Sequence, residues 1–173
     1  TDDIISKSLT DDVLDYNLID ICKVFSYSHL GNIFSVVLFP HRWIYEMIEA
    51  WSSNGVMGFG SDSEDARGID HPPVIAGAYF AAKLGVLEYL TEHKIQSGVI
   101  ILREIRPEYA IPVGVWQVRE GIREAMKQNP IISDNFDDAL HLASQKMSIS
   151  KSEWFAHGDI LTLMKQKTLS DFF

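Results

Sequence analysis

Charged and aromatic side chains suited to holding a nucleotide or a nucleic acid are concentrated between residues 103 and 123. The segment Arg103–Tyr109 follows the apolar run Val99–Leu102, and functional sites are often built where a chain leaves a rigid strand. Further along the chain, one indole and two guanidinium groups lie at helical spacing, on Trp116, Arg119 and Arg123. An indole can stack on a base, and guanidinium groups bind phosphate oxygens. The pattern predicts candidate nucleotide or nucleic-acid contacts at Arg103, Arg106, Trp116, Arg119 and Arg123.

The same region has a second interpretation, in which its charges form structural ion pairs. It contains four arginines and four glutamates: Arg103, Glu104, Arg106, Glu108, Arg119, Glu120, Arg123 and Glu124. Alternating charge of this kind is common on protein surfaces and contributes little energy per pair. A catalytic version of the first interpretation would use Glu104 or Glu108 as a general base beside a guanidinium group. Both interpretations stay open, and no catalytic residue is assigned.

The last eight residues have the pattern Q-x-x-L-x-x-F-F, carried by Gln166, Leu169, Phe172 and Phe173. The three apolar side chains can fall on one side of a short 3₁₀ turn and fill an apolar pocket, with the glutamine as a polar anchor. This is the pattern of motifs that dock onto the sliding clamp PCNA, so the tail predicts PCNA as a partner. The alternative is an amphipathic tail that packs back onto its own domain.

Composition limits the remaining function classes. The chain has 173 residues, of which 46% are hydrophobic, and this is enough for one domain with a core. Its net charge of −9, from 15 basic and 24 acidic residues, argues against a surface that coats DNA. DNA contact is therefore expected indirectly, through the clamp.

Cysteine and histidine usage predicts neither a metal nor a cofactor in this chain. The lone Cys22 excludes an internal disulfide and a cysteine pair for zinc, which is typical of the reducing cytoplasm. The six histidines show no metal-site spacing; His29 and His71 lie in predicted loops and are the two worth testing. No apolar stretch reaches the length of a membrane span, and the first residues do not resemble a signal peptide.

Periodicity predicts an α+β fold, in which an antiparallel hairpin and an inner strand pack with about five helices. Gly31-Asn32 separates two β-rich runs, whereas Ile44, Met47, Ile48 and Trp51 have helical spacing. Four glycines without periodicity predict a mobile loop over 52–73, either a plain connector or an active-site lid. The predicted elements are a hairpin over 18–39, helices over 42–51 and 74–97, and a strand over 99–102. Three further helices are predicted: one is marked by Trp116, the next by Phe136, and the last by Trp154, Leu161 and Met164. Residues 1–164 then form one domain, and 165–173 form the PCNA-interacting tail.

Over nearly its whole length the chain resembles the C-terminal half of the archaeal Nre family of DNA-repair proteins, and several stretches carry the resemblance. They are Ser28–Asn32, Glu46–Trp51, Gly77–Leu90, Leu102–Tyr109, Gly114–Glu120 and the tail. The resemblance implies a cytoplasmic role in the response to DNA damage and carries the clamp motif onto Gln166, Leu169, Phe172 and Phe173. It also implies an N-terminal half with a metal-binding cysteine cluster, which these 173 residues lack.

The sequence thus favours a repair factor recruited by the clamp. The alternative is a nucleotide- or nucleic-acid-processing enzyme whose pocket lies between Arg103–Tyr109 and Trp116–Arg123.

Overall fold

A six-stranded mixed sheet with helices on both faces organises the chain. The computed structural model describes residues 2–107 and 114–160. The strands are β1 (Asn17–Leu18), β2 (Cys22–His29), β3 (Asn32–Phe39), β4 (Ile44–Ser53), β5 (Val56–Asp65), β6 (Ile95–Gln96), β7 (Gly98–Ile105) and β8 (Ile131–Ser133). The helices are α1 (Asp2–Leu14), α2 (Ala76–His93), α3 (Trp116–Met126), α4 (Phe136–Ser144) and α5 (Lys151–Ala156). The mixed content confirms the predicted α+β class.

Strand order in the sheet is β5-β4-β7-β3-β2-β8, and β1 pairs separately with β6. Among the described strands of the large sheet, only the β4–β7 pair is parallel. The predicted hairpin is confirmed: β2 and β3 are antiparallel and are joined at Leu30 and Gly31, both of positive φ. The predicted inner strand is β7, which lies between β3 and β4.

Two apolar cores lie on opposite faces of the sheet. Helices α1, α2 and α3 cover one face, where Val36, Met47 and Ile101 are fully buried. Helices α4 and α5 cover the other, where Val37 and Ile100 are equally buried. The central strands therefore have apolar side chains pointing both ways, as strands with two covered faces do.

The helix predicted over 42–51 is wrong, because this segment is strand β4. Both faces of β4 are covered, so apolar residues appear on each and their spacing imitates a helix. The two glutamates between the apolar positions, Glu46 and Glu49, are buried, with 0% and 7% of their surface exposed. An argument from periodicity assumes that polar residues face solvent, and this assumption fails at Glu46 and Glu49.

The loop predicted over 52–73 is also wrong over half its length, because Val56–Asp65 forms β5. Asn54 and Gly55 both have positive φ and make the turn from β4, as Asn-Gly pairs commonly do in hairpins. Gly58 faces the indole of Trp51 so closely that an added Cβ would lie 2.5 Å from it. This glycine therefore serves cross-strand packing rather than loop mobility.

The other helices predicted from periodicity are present, and the Ser150–Glu153 capping box is formed. Helix α1 was not predicted, because its buried positions include the polar Ser6 and Thr10. Thr10 donates its hydroxyl hydrogen to the Ser6 carbonyl within the helix. Leu161 and Met164, expected to continue the last helix, lie outside the described residues.

Replacement of Gly121 by alanine should destabilise the protein although alanine is the better helix former. Helix propensity would favour the change by about 1 kcal/mol. A Cβ at Gly121, however, would lie 2.5 Å from the ring of Phe34, which is 1% exposed and cannot retreat. We expect a net loss of about 1–3 kcal/mol in the free energy of unfolding, measured by urea denaturation.

Gly77→Ala is the matched control. Its added Cβ would meet the end of the Val115 side chain, which is 47% exposed and can move. We expect no loss of stability. Equal destabilisation by both substitutions would show that α3 does not pack against Phe34 as described.

Candidate functional site

Arg103 lies in a row of side chains that crosses the sheet. It stands on β7 beside Glu49 of β4 and Phe34 of β3, its two register partners. Its Nη1 donates to Glu49 Oε1 at 2.5 Å, and its Nε and Nη2 donate to Asn32 Oδ1. The guanidinium carbon also lies 5.6 Å from the centre of the Phe34 ring. Arg103 on β7 therefore links β3 to β4, and its guanidinium nitrogens are engaged in these hydrogen bonds.

Arg119 and Arg123 of α3 are likewise paired with carboxylates. Arg119 Nη1 donates to both carboxylate oxygens of Asp2, which links α3 to α1. Arg123 binds Glu88 of α2 through two hydrogen bonds of 2.8 and 2.6 Å, and it binds Glu120 on its own helix. The hydrogen bonds that Arg123 donates to Glu88 raise the pKa of Arg123 above its ordinary value. These pairs connect the three helices on one face of the sheet.

Arg106 and Trp116 differ from the other candidates because both are exposed. Trp116 is 58% exposed at the start of α3. The only side-chain bond described for Arg106 runs from Nη2 to the Lys146 carbonyl, at 3.3 Å, on the exposed surface. Glu108 and Tyr109 lie outside the described residues. In the described part of the chain, the predicted contacts line separate cavities: Arg106 lines a cavity at the β2–β3 turn, and Arg123 lines another between α2 and α3.

Glu104, considered above as a general base, has a structural role in the described part of the chain. It lies on the α4 face of β7 with 2% of its surface exposed. Its carboxylate accepts hydrogen bonds from the backbone N–H of Ser148, at 3.0 and 3.2 Å, and from the Ser148 hydroxyl. The segment after α4 is held to the sheet by these bonds.

A polar cleft that the sequence did not predict lies between α1, α2 and the end of β5. Its cavity of about 450 Å³ is lined by Asp3, Lys7, Thr10, Asp11, Glu64, Ala66, Arg67, Gly68, Ile69, Phe80 and Lys83. At its base, Lys83 Nζ lies 2.6 Å from Glu64 Oε1, and both side chains are at least 95% buried. The Tyr79 hydroxyl donates to Glu64 Oε2 at 2.7 Å. An amine, a carboxylate and a phenol therefore meet at the base of one cleft.

Electrostatics at this cleft favour a neutral tyrosine beside a charged pair. Burial, and next the negative charge of Glu64, raise the pKa of Tyr79 far above its ordinary value, so its hydroxyl remains a donor. Taking two charges out of water is costly, and such pairs are kept either for specificity of packing or for chemistry. The pair also links β5 to α2. A second link is made by Asp62, which accepts the N–H groups of Val74 and Ile75 just before α2 begins.

Sequence reasoning missed the cleft because its members lie in segments that were interpreted differently. Glu64 fell within the predicted loop, and Lys83 appeared as an isolated charge in an apolar helix. The available signal was Lys83 itself, since a lone cation among buried positions requires a counter-charge. His71 contacts the same strand: its Nε2 lies 3.7 Å from Asp62, and a hydrogen bond with Asp70 raises the pKa of His71.

Glu46 binds the backbone just before the tail. On the α4 and α5 face of β4, its carboxylate accepts the N–H of Asp159 at 2.6 Å and that of Ile160 at 3.1 Å. Ile160 is 5% exposed and belongs to the core of this face. The chain is thereby fixed to the sheet at residues 159 and 160. The four residues of the proposed clamp motif lie outside the described part of the chain.

The described residues contain neither a metal-ligand cluster nor a membrane-spanning helix. Within 2–107 and 114–160, no three His, Cys, Asp or Glu side chains are grouped as metal ligands would be. No helix in these ranges is long and apolar enough to cross a bilayer.

Lys83→Met should be strongly destabilising because it leaves Glu64 buried without its counter-charge. Breaking a buried pair from one side costs about 3–5 kcal/mol, measurable by urea denaturation. The double variant Glu64→Gln/Lys83→Met removes both charges and keeps an acceptor for Tyr79, so it should be more stable than Lys83→Met alone. A double variant less stable than the single one would contradict a pairing role for Lys83.

Glu46→Gln should loosen the backbone at Asp159 and Ile160 before it affects the rest of the fold. A neutral amide offers only one acceptor oxygen to two N–H groups, and an unsatisfied buried group costs about 1–3 kcal/mol. We expect faster hydrogen exchange at those two amides, measured by NMR, with the amides of β7 unchanged as internal control. Unchanged exchange at residues 159 and 160 would mean that Glu46 does not hold this segment.

Comparison with known proteins places the whole chain in one family. The model described as archaeal Nre, C-terminal, matches residues 64–172, and the model described as archaeal Nre, N-terminal, matches residues 1–57. The boundary between these matches falls inside β5, so the two matched segments share one sheet. No solved structure matches the chain.

Three curated relatives are similar over most of this chain. DNA repair protein NreA of Archaeoglobus fulgidus is 37% identical over 175 residues, which cover 98% of this chain and 43% of the relative. NreB of the same organism, also a DNA repair protein by name, is 30% identical over 99% of this chain and 45% of its own length. DNA repair protein NreA of Haloferax volcanii is 32% identical over 88% of this chain and 38% of its own length. The chain thus spans less than half the length of these relatives, and it belongs to the archaeal Nre family.

Proposed function

We propose that this chain is part of a DNA-repair protein that is recruited to DNA by the sliding clamp PCNA through its C-terminal tail. Two kinds of observation support the proposal. The relatives that cover nearly all of the chain are named DNA repair proteins. The last eight residues have the Q-x-x-L-x-x-F-F pattern of clamp ligands, carried by Gln166, Leu169, Phe172 and Phe173.

The contact of Glu46 with the backbone at residues 159 and 160 supports tail-mediated tethering. Because Glu46 and the buried Ile160 hold the chain at that point, the tail starts from a fixed position on the domain. Five residues, 161–165, separate Ile160 from Gln166. A short connection between two binding units raises the effective concentration of one for the other. A clamp bound at the tail would therefore keep this domain close to the DNA that the clamp encircles.

Charge supports tethering rather than independent binding to DNA. The chain carries a net charge of −9, and the guanidinium groups of Arg103, Arg119 and Arg123 are paired with carboxylates. Electrostatic attraction to a duplex requires uncompensated cations. A protein of this composition gains most from an attachment that does not depend on its own charge.

The alternative, a nucleotide- or nucleic-acid-processing enzyme with a pocket between Arg103–Tyr109 and Trp116–Arg123, has less support. Three of its five candidate contacts form structural ion pairs, as described above. The polar cleft around Lys83 offers an amine and a carboxylate, but the described contacts account for both as a link between β5 and α2. The enzymatic hypothesis remains a prediction.

The recruitment proposal is tested by calorimetric titration of the chain into its cognate clamp. The Phe172→Ala/Phe173→Ala variant removes the two aromatic side chains that would fill the clamp pocket. We expect saturable binding by the parent and at least about thirtyfold weaker binding by the variant, since two buried aromatic anchors each contribute more than about 1 kcal/mol.

The control is Lys165→Ala/Lys167→Ala, which alters the same segment without touching the motif pattern. It should bind within a few-fold of the parent. Both variants must show the thermal stability of the parent. Undiminished binding by the Phe172→Ala/Phe173→Ala variant, or no binding by the parent, would refute the proposal.

A further inference from the structure

Among the residues that the structure describes, a small cavity at the β2–β3 turn is lined by cationic and neutral side chains and by no carboxylate. Its volume is about 330 Å³, and we call it the turn notch; it is lined by Ser28, His29, Leu30, Gly31, Asn32, Ile33, Arg106 and Lys146. Three of these residues, His29, Arg106 and Lys146, carry basic groups. In a chain with a net charge of −9, a cavity with this lining is unusual.

Three separate segments bring these groups together. The backbone N–H of Arg106 donates to the Gly31 carbonyl at 2.8 Å, which holds the end of β7 against the turn. The Arg106 Nη2 donates to the Lys146 carbonyl at 3.3 Å, which brings the segment after α4 to the same place. The turn contributes His29, whose ring stacks on Tyr27 with a centroid separation of 6.2 Å. One backbone bond and one side-chain bond of Arg106 therefore fix the notch, and its basic side chains lie at the surface.

Within the described residues, Arg106 and Lys146 lack a carboxylate partner, whereas most of the other lysines and arginines have one. Arg67, Arg103, Arg119 and Arg123 each have a carboxylate oxygen within ion-pair distance. Arg106 and Lys146 have none among residues 2–107 and 114–160. Uncompensated cations that line one concave site create a positive potential and attract anions.

The chemistry of the notch fits a phosphate group. A guanidinium group offers a planar pair of N–H donors that matches phosphate oxygens, and a lysine ammonium binds phosphate as a point charge. The Ser28 hydroxyl and the His29 ring line the same cavity and offer further donors. A cavity of about 330 Å³ admits a phosphodiester group with part of its sugar.

We propose that the turn notch binds a backbone phosphate of a nucleic acid, through Arg106 and Lys146 with His29 beside them. This inference rests on the proposed function, since a DNA-repair protein held at a clamp is presented with nucleic-acid phosphates. The contact is independent of base sequence because it engages the backbone alone. With so few uncompensated cations it is weak by itself, and clamp tethering raises its occupancy.

The test is fluorescence anisotropy of a labelled single-stranded oligonucleotide titrated with the chain over a range of NaCl concentrations. Arg106→Gln/Lys146→Gln removes both cations of the notch. We expect affinity to fall on the order of tenfold at low salt, and the slope of log K against log salt to decrease by about 1 to 2. Inorganic phosphate added to the parent should compete at millimolar concentration.

The matched control is Arg42→Gln/Lys94→Gln, which removes two positive charges from exposed positions outside the notch that likewise have no carboxylate partner in the described part of the chain. It should keep the affinity of the parent within about twofold and leave the salt slope unchanged. Equal losses in the two variants would show that only net charge matters and would overturn the proposal. Absence of saturable binding by the parent at low salt, or displacement of the oligonucleotide by a glutamate-rich peptide of equal charge at equal concentration, would also overturn it.

Titration of the same variants into the clamp separates this inference from the proposed function. Arg106→Gln/Lys146→Gln should bind the clamp like the parent. If the parent and the variant both bind the clamp but the expected anisotropy difference is not found, only the inference about the notch is overturned. If the parent fails to bind the clamp, recruitment falls whatever the anisotropy shows.

Discussion

The sheet is covered by helices on both faces, and this constraint determines where charges can lie in the protein. Strands β4 and β7 have no face open to water, so a charged residue on them needs a partner supplied by the fold. Glu49 pairs with Arg103 across the strands, Glu104 accepts N–H and O–H groups of Ser148, and Glu46 accepts the N–H groups of residues 159 and 160. Each buried carboxylate therefore fixes a segment that apolar contacts alone would hold less specifically.

The same constraint explains what the sequence could and could not predict. The hairpin over β2 and β3, the inner strand β7 and the helices α2 to α5 were predictable, because apolar runs, turn residues and capping residues agree there. Strand β4 was not, because buried glutamates at positions 46 and 49 imitate the polar face of a helix. Strand β5 was not, because its inward face carries glycine, Asp62 and Glu64 instead of apolar side chains. Local patterns assume that polar residues face water, and the errors fall where polar residues face a partner.

For the candidate site residues, too, the sequence predicts positions but not partners. The sequence located the arginines, but it could not distinguish a phosphate contact from an ion pair, since that depends on carboxylates more than 30 positions away. Glu49, Asp2 and Glu88 are those carboxylates for Arg103, Arg119 and Arg123. Only the fold shows that Arg106 lacks such a partner in the described part of the chain and lies beside Lys146. The polar cleft around Lys83 also required the fold, because three elements distant in sequence form it.

The domain and the means of bringing it to DNA are separate parts of the chain. We propose that the tail, preceded by the segment that Glu46 holds, is the element that binds the clamp. The most direct test is a crystal structure of this chain in complex with its cognate PCNA. We predict that Leu169, Phe172 and Phe173 occupy an apolar pocket on the clamp, with the domain attached through residues 159 and 160. A complex in which another surface contacts the clamp, while those three side chains pack on their own domain, would contradict the account.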